Sequence, residues 1–258
     1  MSPLESLEAE YWGSLGPDER RAEQKTLVGL AHLREGNFAE SLEAFDEVVA
    51  LKGPQAYVWQ RGIPLYYLGE HEAAAEYFEQ QARLYVGRFR DAPSSELLWA
   101  AAARAQLGDP KPMRFAEVAV DGESGEVLRE SNPVLRAATR LFEVETAGPA
   151  ELDALKGVAV LDGATGLDPL GRYFYGHFYG ALWAESVRRD AARAAALYSR
   201  AVASPFGEPD DLFRRLAANH AAGMAAGAGG GAGGVPGGGG GAGGDAAAAT
   251  ADSELWVW

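Results

Sequence analysis

Two glycines recur at a fixed spacing in this chain, and they limit its fold more than any other feature. Gly29 and Gly36 stand in "LVGLAHLREGNFAESLEAFDEVVAL", and Gly62 and Gly69 in "YVWQRGIPLYYLGEHEAAAEYFEQQA". The first pair maps onto the second after 33 residues, and so do Leu30 onto Ile63, Ser41 onto Ala74 and Phe45 onto Phe78. A shared period with shared residue types is the signature of stacked supersecondary units. Glycine inside a helix costs roughly 1 kcal/mol against alanine, so each must be compensated. Gly36 and Gly69 fit helix ends, where the left-handed conformation favours glycine. Gly29 and Gly62 fit mid-helix positions where a missing side chain admits a partner helix. Ser41 and Ala74 are the small residues expected to fill that contact, with Phe45 and Phe78 one turn along the same face. Pro54 suits the first turn of the next helix.

This pattern of small residues, turn glycine and following Phe resembles the tetratricopeptide repeat (TPR). The expected fold is therefore all-α, a TPR-like helical hairpin array (α-solenoid). Two units cover 24–87, after an N-terminal helical extension over 1–23. An irregular helical middle spans 88–172. It holds a helix at "SSELLWAAAARAQLG" with a serine cap, a weak hairpin at "DGESG", two short helices at "NPVLRAATRLF" and "AELDAL", and a linker at "DGATGLDPLG". A degenerate hairpin plus closing helix occupies 173–222. Ala181 is its small first-helix residue, and Ala194, Tyr198 and Ala201 form its second-helix face. Arg188 and Arg189 stand where a turn glycine is expected, in a turn one residue longer. From 223 to 258 the composition changes to glycine and alanine, which cannot bury enough surface to order itself. That segment is expected to be a disordered tail, ending in "ELWVW".

The order of elements extends the resemblance. "RGIPLYYLG", the "LLWAAAA" helix, the "NPVLRAATRLF…AELDAL" pair and "YFYGHFYGALWAES…AAALYSRAV" are together similar to NlpI-like TPR proteins of bacteria, algae and plants. The resemblance implies a helical adaptor without an active site. NlpI-like proteins dimerise and dock partner proteins, among them a protease and peptidoglycan hydrolases in bacteria. Without any cysteine in the chain, the lipoprotein anchor of the bacterial members does not carry over.

Composition narrows the partner. The formal charge is −14, which argues against a nucleic-acid backbone and against anionic membrane surfaces. The bland reading of that charge is solubility; the sharper one is an acidic face that recruits a basic partner. No stretch approaches the length of an apolar membrane span, and the first residues form neither a secretory nor a transit leader. A cytoplasmic protein is expected from the sequence as written, or a plastid one if a leader is missing.

No chemistry announces itself. His32, His71, His177 and His220 form no ligand pair, the tail glycines follow no strand, and neither GxSxG nor a phosphate-binding lysine occurs. The carboxylates lie at helix-surface spacing and fit solvated faces. Neither enzyme activity, metal nor cofactor is expected; a perturbed cluster of acids around a deep pocket would be needed to revive an enzyme reading. The expected partner is another protein or peptide, with a homodimer as the alternative. First-helix side chains line the concave face of such arrays, which singles out Lys25, His32, Trp59, Gln60, Arg61, Tyr66 and Tyr67. Trp59, Tyr66 and Tyr67 fit inter-repeat packing equally well, and Arg61 fits a structural ion pair. The face lacks the asparagine used by chaperone-clamping TPR domains. The "YFYGHFYGALW" helix carries more rings than one face needs, so central packing is expected in preference to a dimer surface.

Overall fold

The computed structural model describes residues 10–108, 124–143, 169–209 and 211–227, together with residues 115, 119, 120, 122, 150, 152, 153 and 155. Its described residues are all-helical, apart from one antiparallel bridge between Val120 and Val127 that brackets "DGESG". Of the "AELDAL" segment, residues 150, 152, 153 and 155 are described, all of them helical; most of the "DGATGLDPLG" linker and everything beyond residue 227, "ELWVW" included, lie outside the described residues. Among them, no helix is long and apolar enough to cross a membrane.

The first hairpin pairs α1 (Pro17–Glu35) with α2 (Phe38–Lys52). Pro17 opens α1, and the Glu19 carboxylate accepts the Gly16 N–H at 2.8 Å. The helix therefore starts well before residue 24. Gly36 ends it at φ 81°, where the Asn37 N–H reaches back to the His32 carbonyl at 2.9 Å. The second hairpin repeats this with a shorter first arm. Trp59–Arg61 is a 3-10 turn that runs into α3 (Gly62–Tyr67), and α4 is His71–Phe89. Gly69, at φ 82°, makes the same stop, with the Glu70 N–H on the Leu65 carbonyl at 3.0 Å. Gly62 thus opens α3 rather than sitting in mid-helix, and Pro64 falls in the first turn, where its missing N–H costs nothing. Pro54 lies in a turn before the 3-10 segment, not in a helix.

The repeated glycines admit rings. A Cβ built on Gly29 would lie 3.0 Å from the tip of Phe45, and one on Gly62 only 2.5 Å from the tip of Phe78. Both rings are fully buried. Ser41 contributes differently, donating its hydroxyl to the Gly29 carbonyl at 2.9 Å.

Three helices make the middle and the far end of the core. These are α5 (Ser94–Gln106), α6 (Pro133–Glu143) and α7 (Pro169–Ser186). Ser94 does not cap α5. It lies inside the helix with its hydroxyl turned to Glu130. Asn132 does cap α6, its Oδ1 accepting the Val134 N–H at 2.9 Å. The aromatic helix α7 begins at Pro169, four residues ahead of the expected 173. Phe174, Phe178, Tyr179 and Trp183 are buried against α5, α6 and α8 (Ala191–Ala203), so central packing holds. Each such ring contributes on the order of 2–3 kcal/mol by leaving water. Ala181, Ala194, Tyr198 and Ala201 are all fully buried at the α7–α8 contact.

The α7–α8 turn solves the missing glycine with an arginine. Arg189 takes the left-handed conformation at φ 54°. Its guanidinium donates to the Gln106 side chain at 2.8 Å and to the Ala105 and Gln106 carbonyls at 2.9 and 3.0 Å. A cation on the exposed carbonyls of a helix end is favourable, which offsets the backbone strain. Finally α9 (Leu212–Gly227), capped by Asp211 through the Arg214 N–H at 3.0 Å, packs on both α8 and α1. It continues through Gly223, where the tail was expected to begin. Asn219 of α9 donates to the Arg34 carbonyl of α1 at 3.4 Å, so the last helix returns to the first.

Candidate functional site

The return of α9 decides which residues can meet a partner. Lys25 is tied to Glu47 at 2.7 Å within the first hairpin. His32 is half-buried near the end of α1. Arg61 donates to Asp46 at 2.6 Å and lies over the Tyr77 ring at 4.8 Å, so it locks one hairpin to the next. Tyr66 is 4 % exposed, edge-on to Trp99 at 5.4 Å. Tyr67 stacks on Phe38 at 4.3 Å and meets His220 of α9 at 4.7 Å. These five do not form a docking row: the two tyrosines are packing, and α9 covers that stretch of the inner face. Of the expected set, Trp59 and Gln60 border an open cleft, and Lys25 keeps 34 % of its side chain exposed. The Trp59 ring lies parallel to Phe213 of α9 at 6.0 Å, at the wall of the cleft.

That cleft has a volume of about 100 Å³. Leu30 and Arg34 of α1 and the segment Tyr57–Gln60 form one wall, and Tyr85 closes α4's side. Tyr175 and Tyr179 of α7 make a buried floor with Phe213. Asp91, Glu96 and Glu130 bring three carboxylates, and Arg34 and Arg172 bring two cations. The lining thus comes from places far apart in sequence, at the junction where regular hairpins give way to the irregular middle.

The carboxylates are not the solvated ones expected from spacing. Glu96 is 4 % exposed in the first turn of α5 and accepts the Tyr57 hydroxyl. Burial pushes its pKa up against that hydrogen bond. Burial likewise raises Glu130, which accepts the Asn132 N–H at 2.6 Å. Asp91 accepts the Ala92 N–H at 2.8 Å. Tyr85 is pushed up to about 12, by burial first and then by the charges of Asp91, Glu96 and Glu130. Glu96 carried a signal in the sequence. It directly precedes "LLWAAAA", and a helix apolar on all sides is buried, so an acid in its first turn is buried too.

Chemically, the cleft offers weakly solvated carboxylates beside aromatic faces. Glu96 and Glu130 are shifted in the same direction, whereas a general acid and its partner base need pKa values pushed apart. Among the described residues no group of three His, Asp or Glu side chains is placed to hold a metal ion.

A second polar cluster lies outside the cleft. Glu185 accepts the Tyr198 hydroxyl at 3.1 Å and faces His220 Nδ1 at 3.4 Å. Burial pushes Glu185 up to about 7 and His220 down to about 3, so this is a contact of neutral groups between those values. It holds α9 to α7 and α8. Compared with protein families, with curated proteins and with solved structures, the chain matches none.

Proposed function

We propose that this protein is a non-enzymatic adaptor, a TPR-like and NlpI-like helical array that docks a partner protein or peptide. The single observation that carries the reading is the cleft: an aromatic-lined cavity whose walls come from six helices and three connecting segments. Pockets lined by rings with a few convergent polar groups are the default binding sites of a fold. The 33-residue recurrence of Gly29–Phe45 and Gly62–Phe78 contacts supports the repeat assignment. The docking face is then the cleft beside Trp59 and Gln60, not the row through Tyr66 and Tyr67.

The test is photo-crosslinking in native extract from the full chain. A crosslinking residue replaces Gln60 or Ala92, both on the cleft rim, or Glu72 on the outer surface. A protein joined from the rim positions only, and competed by unlabelled chain, supports the reading. Equal capture from all three positions, or none from the rim, refutes it.

One observation favours self-association as a second reading. Leu68, Leu107 and Val187 follow the ends of α3, α5 and α7 and are exposed at 43 %, 50 % and 36 %. They give the turn edge an apolar character of the kind that marks association surfaces. A concentration-dependent mass in sedimentation equilibrium that Leu107→Glu abolishes is the expected result for that reading.

A further inference from the structure

We propose that the cleft takes a basic side chain of the partner, a lysine ammonium or an arginine guanidinium, held between the carboxylates of Asp91, Glu96 and Glu130 and the rings around them. The inference rests on the adaptor reading and names what that site recognises.

The three acids sit together. Asp91, Glu96 and Glu130 all act on Tyr85, Glu130 acts with each of the other two, and Glu96 and Glu130 also act on Tyr179. Two cations line the cleft as well, Arg34 and Arg172, and Arg136 acts on Glu130 from outside it. Among the described residues, no lysine or arginine forms an ion pair with any of the three acids. Their hydrogen bonds come from neutral donors: the Tyr57 hydroxyl, the Ser94 hydroxyl and backbone N–H groups. A carboxylate offers about four acceptor sites, so capacity remains on each.

Burial already penalises the charged form of Glu96 and Glu130. A buried charge is costly alone and favourable when paired and hydrogen-bonded. A cation in the cleft would supply that pairing. The aromatic surfaces are the second, independent half of the site. Tyr57 and Tyr85 lie 5.7 Å apart, both on the cavity wall, and Tyr179 lies beneath. Ring faces attract cations, and more strongly where water is excluded. Size agrees as well. About 100 Å³ suits one side-chain head and no folded element. A metal ion is the poorer occupant, because the three acids do not converge as a ligand set. The chain's net charge of −14 draws basic partners toward it at long range.

The test uses blocked amino acids against the full chain. N-acetyl-arginine methylamide is the cationic probe, and N-acetyl-citrulline methylamide is its neutral isostere. Binding is read as the shift of the Trp59 indole N–H in NMR titrations, assigned by its loss in Trp59→Phe. Wild-type protein is run beside Glu130→Gln and Tyr57→Phe, with circular dichroism as the folding control. The arginine probe is expected to bind about tenfold or more tightly than citrulline, and to lose about tenfold in folded Glu130→Gln, the size of one charge-assisted hydrogen bond. Tyr57→Phe frees an acceptor site on Glu96 and keeps the ring, so it should retain binding. Equal binding of the two probes, or no loss in Glu130→Gln, overturns the inference. If neither probe moves Trp59 while the rim crosslinks still yield a partner, the cation assignment falls and the adaptor reading stands. If the crosslinks are silent too, both fall.

Discussion

Replacing Gly62 by alanine separates two effects that usually travel together. Alanine raises helix propensity by up to roughly 1 kcal/mol, less at a first-turn position such as this. Against it stands the contact: the new Cβ would lie 2.5 Å from Phe78 Cζ and 2.7 Å from both Cε atoms. Phe78 is fully buried between α3 and α5 and stacks on Trp99 at 6.0 Å, so its ring cannot simply turn aside. Overpacking of this kind costs about 1–3 kcal/mol, and Gly62→Ala should destabilise the protein by about 1–2 kcal/mol. At Gly29 the same Cβ would lie 3.0 Å from Phe45, a contact relieved by a shift of a few tenths of an ångström. There α1 is well under way, so the full propensity gain applies. Gly29→Ala should therefore fall within about 1 kcal/mol of wild type.

Urea denaturation followed by circular dichroism measures both variants. The sharper readout is a cycle with Phe78→Leu, which shortens the side chain where the new methyl intrudes. The two changes together should cost less than their sum by about 1–2 kcal/mol. A Gly62→Ala protein as stable as wild type, or a strictly additive cycle, would show that the glycine period reflects something other than ring packing.

Other expectations concern the closing turn and the buried pair. Arg189→Ala should cost about 1–2 kcal/mol by removing the donors on the α5 carbonyls, and Arg189→Gly about 1 kcal/mol less, because glycine relieves the φ of 54°; thermal melts compare them. Glu185 carries a raised folded pKa, so its contribution is lost as pH rises from about 4.5 through about 7. His220, held neutral by burial, has the opposite sign and penalises acid below its ordinary value of 6.5. The two slopes oppose each other between about pH 4.5 and 6.5. Glu185→Gln should remove one of them, so its stability relative to wild type should climb by on the order of 2–3 kcal/mol from pH 4.5 to 8. Parallel pH–stability curves for the two proteins would refute this.

Legibility in the sequence followed the range of the interaction. Turn glycines and the Gly–Phe period are local, set by contacts within one hairpin, and the residues at 29, 36, 62 and 69 announce them. Asn132 and Asp211 caps were equally local. The 3-10 start of the second hairpin was less visible, because Pro64 and Gly62 each fit more than one position in a short helix. Least visible was the return of α9 onto α1, which pairs Asn219 with Arg34 across 185 residues of sequence. No periodicity encodes such a contact. It set Tyr67 against His220 of α9, while Trp99 of α5 closed over Tyr66, so both candidate docking residues became packing and Trp59 was left at the rim. The carboxylates of the cleft were missed for a related reason. Spacing reports which face of its own helix a residue occupies, not what another segment lays over it.

Glu96 brings these strands together. A fold shaped for stability alone would place a leucine or glutamine at the head of a helix whose following residues are buried on every side. A carboxylate there loses hydration and regains only the Tyr57 hydroxyl and its own backbone N–H. Its raised pKa fixes the sign: protonated, it sits comfortably, and stability falls as pH rises through the folded value. Glu96→Gln keeps the shape and an acceptor for Tyr57 while deleting the buried charge, so at pH 8 the variant should be more stable than wild type by about 1–2 kcal/mol. At pH 4, where the wild-type side chain is neutral, the two should converge. Stabilisation at pH 8 together with weaker binding of the arginine probe would mark Glu96 as a group kept for recognition at the expense of the fold. A Glu96→Gln protein less stable than wild type at both pH values would make the carboxylate a structural anchor for α5, and would leave recognition in the cleft to Asp91, Glu130 and the aromatic surface.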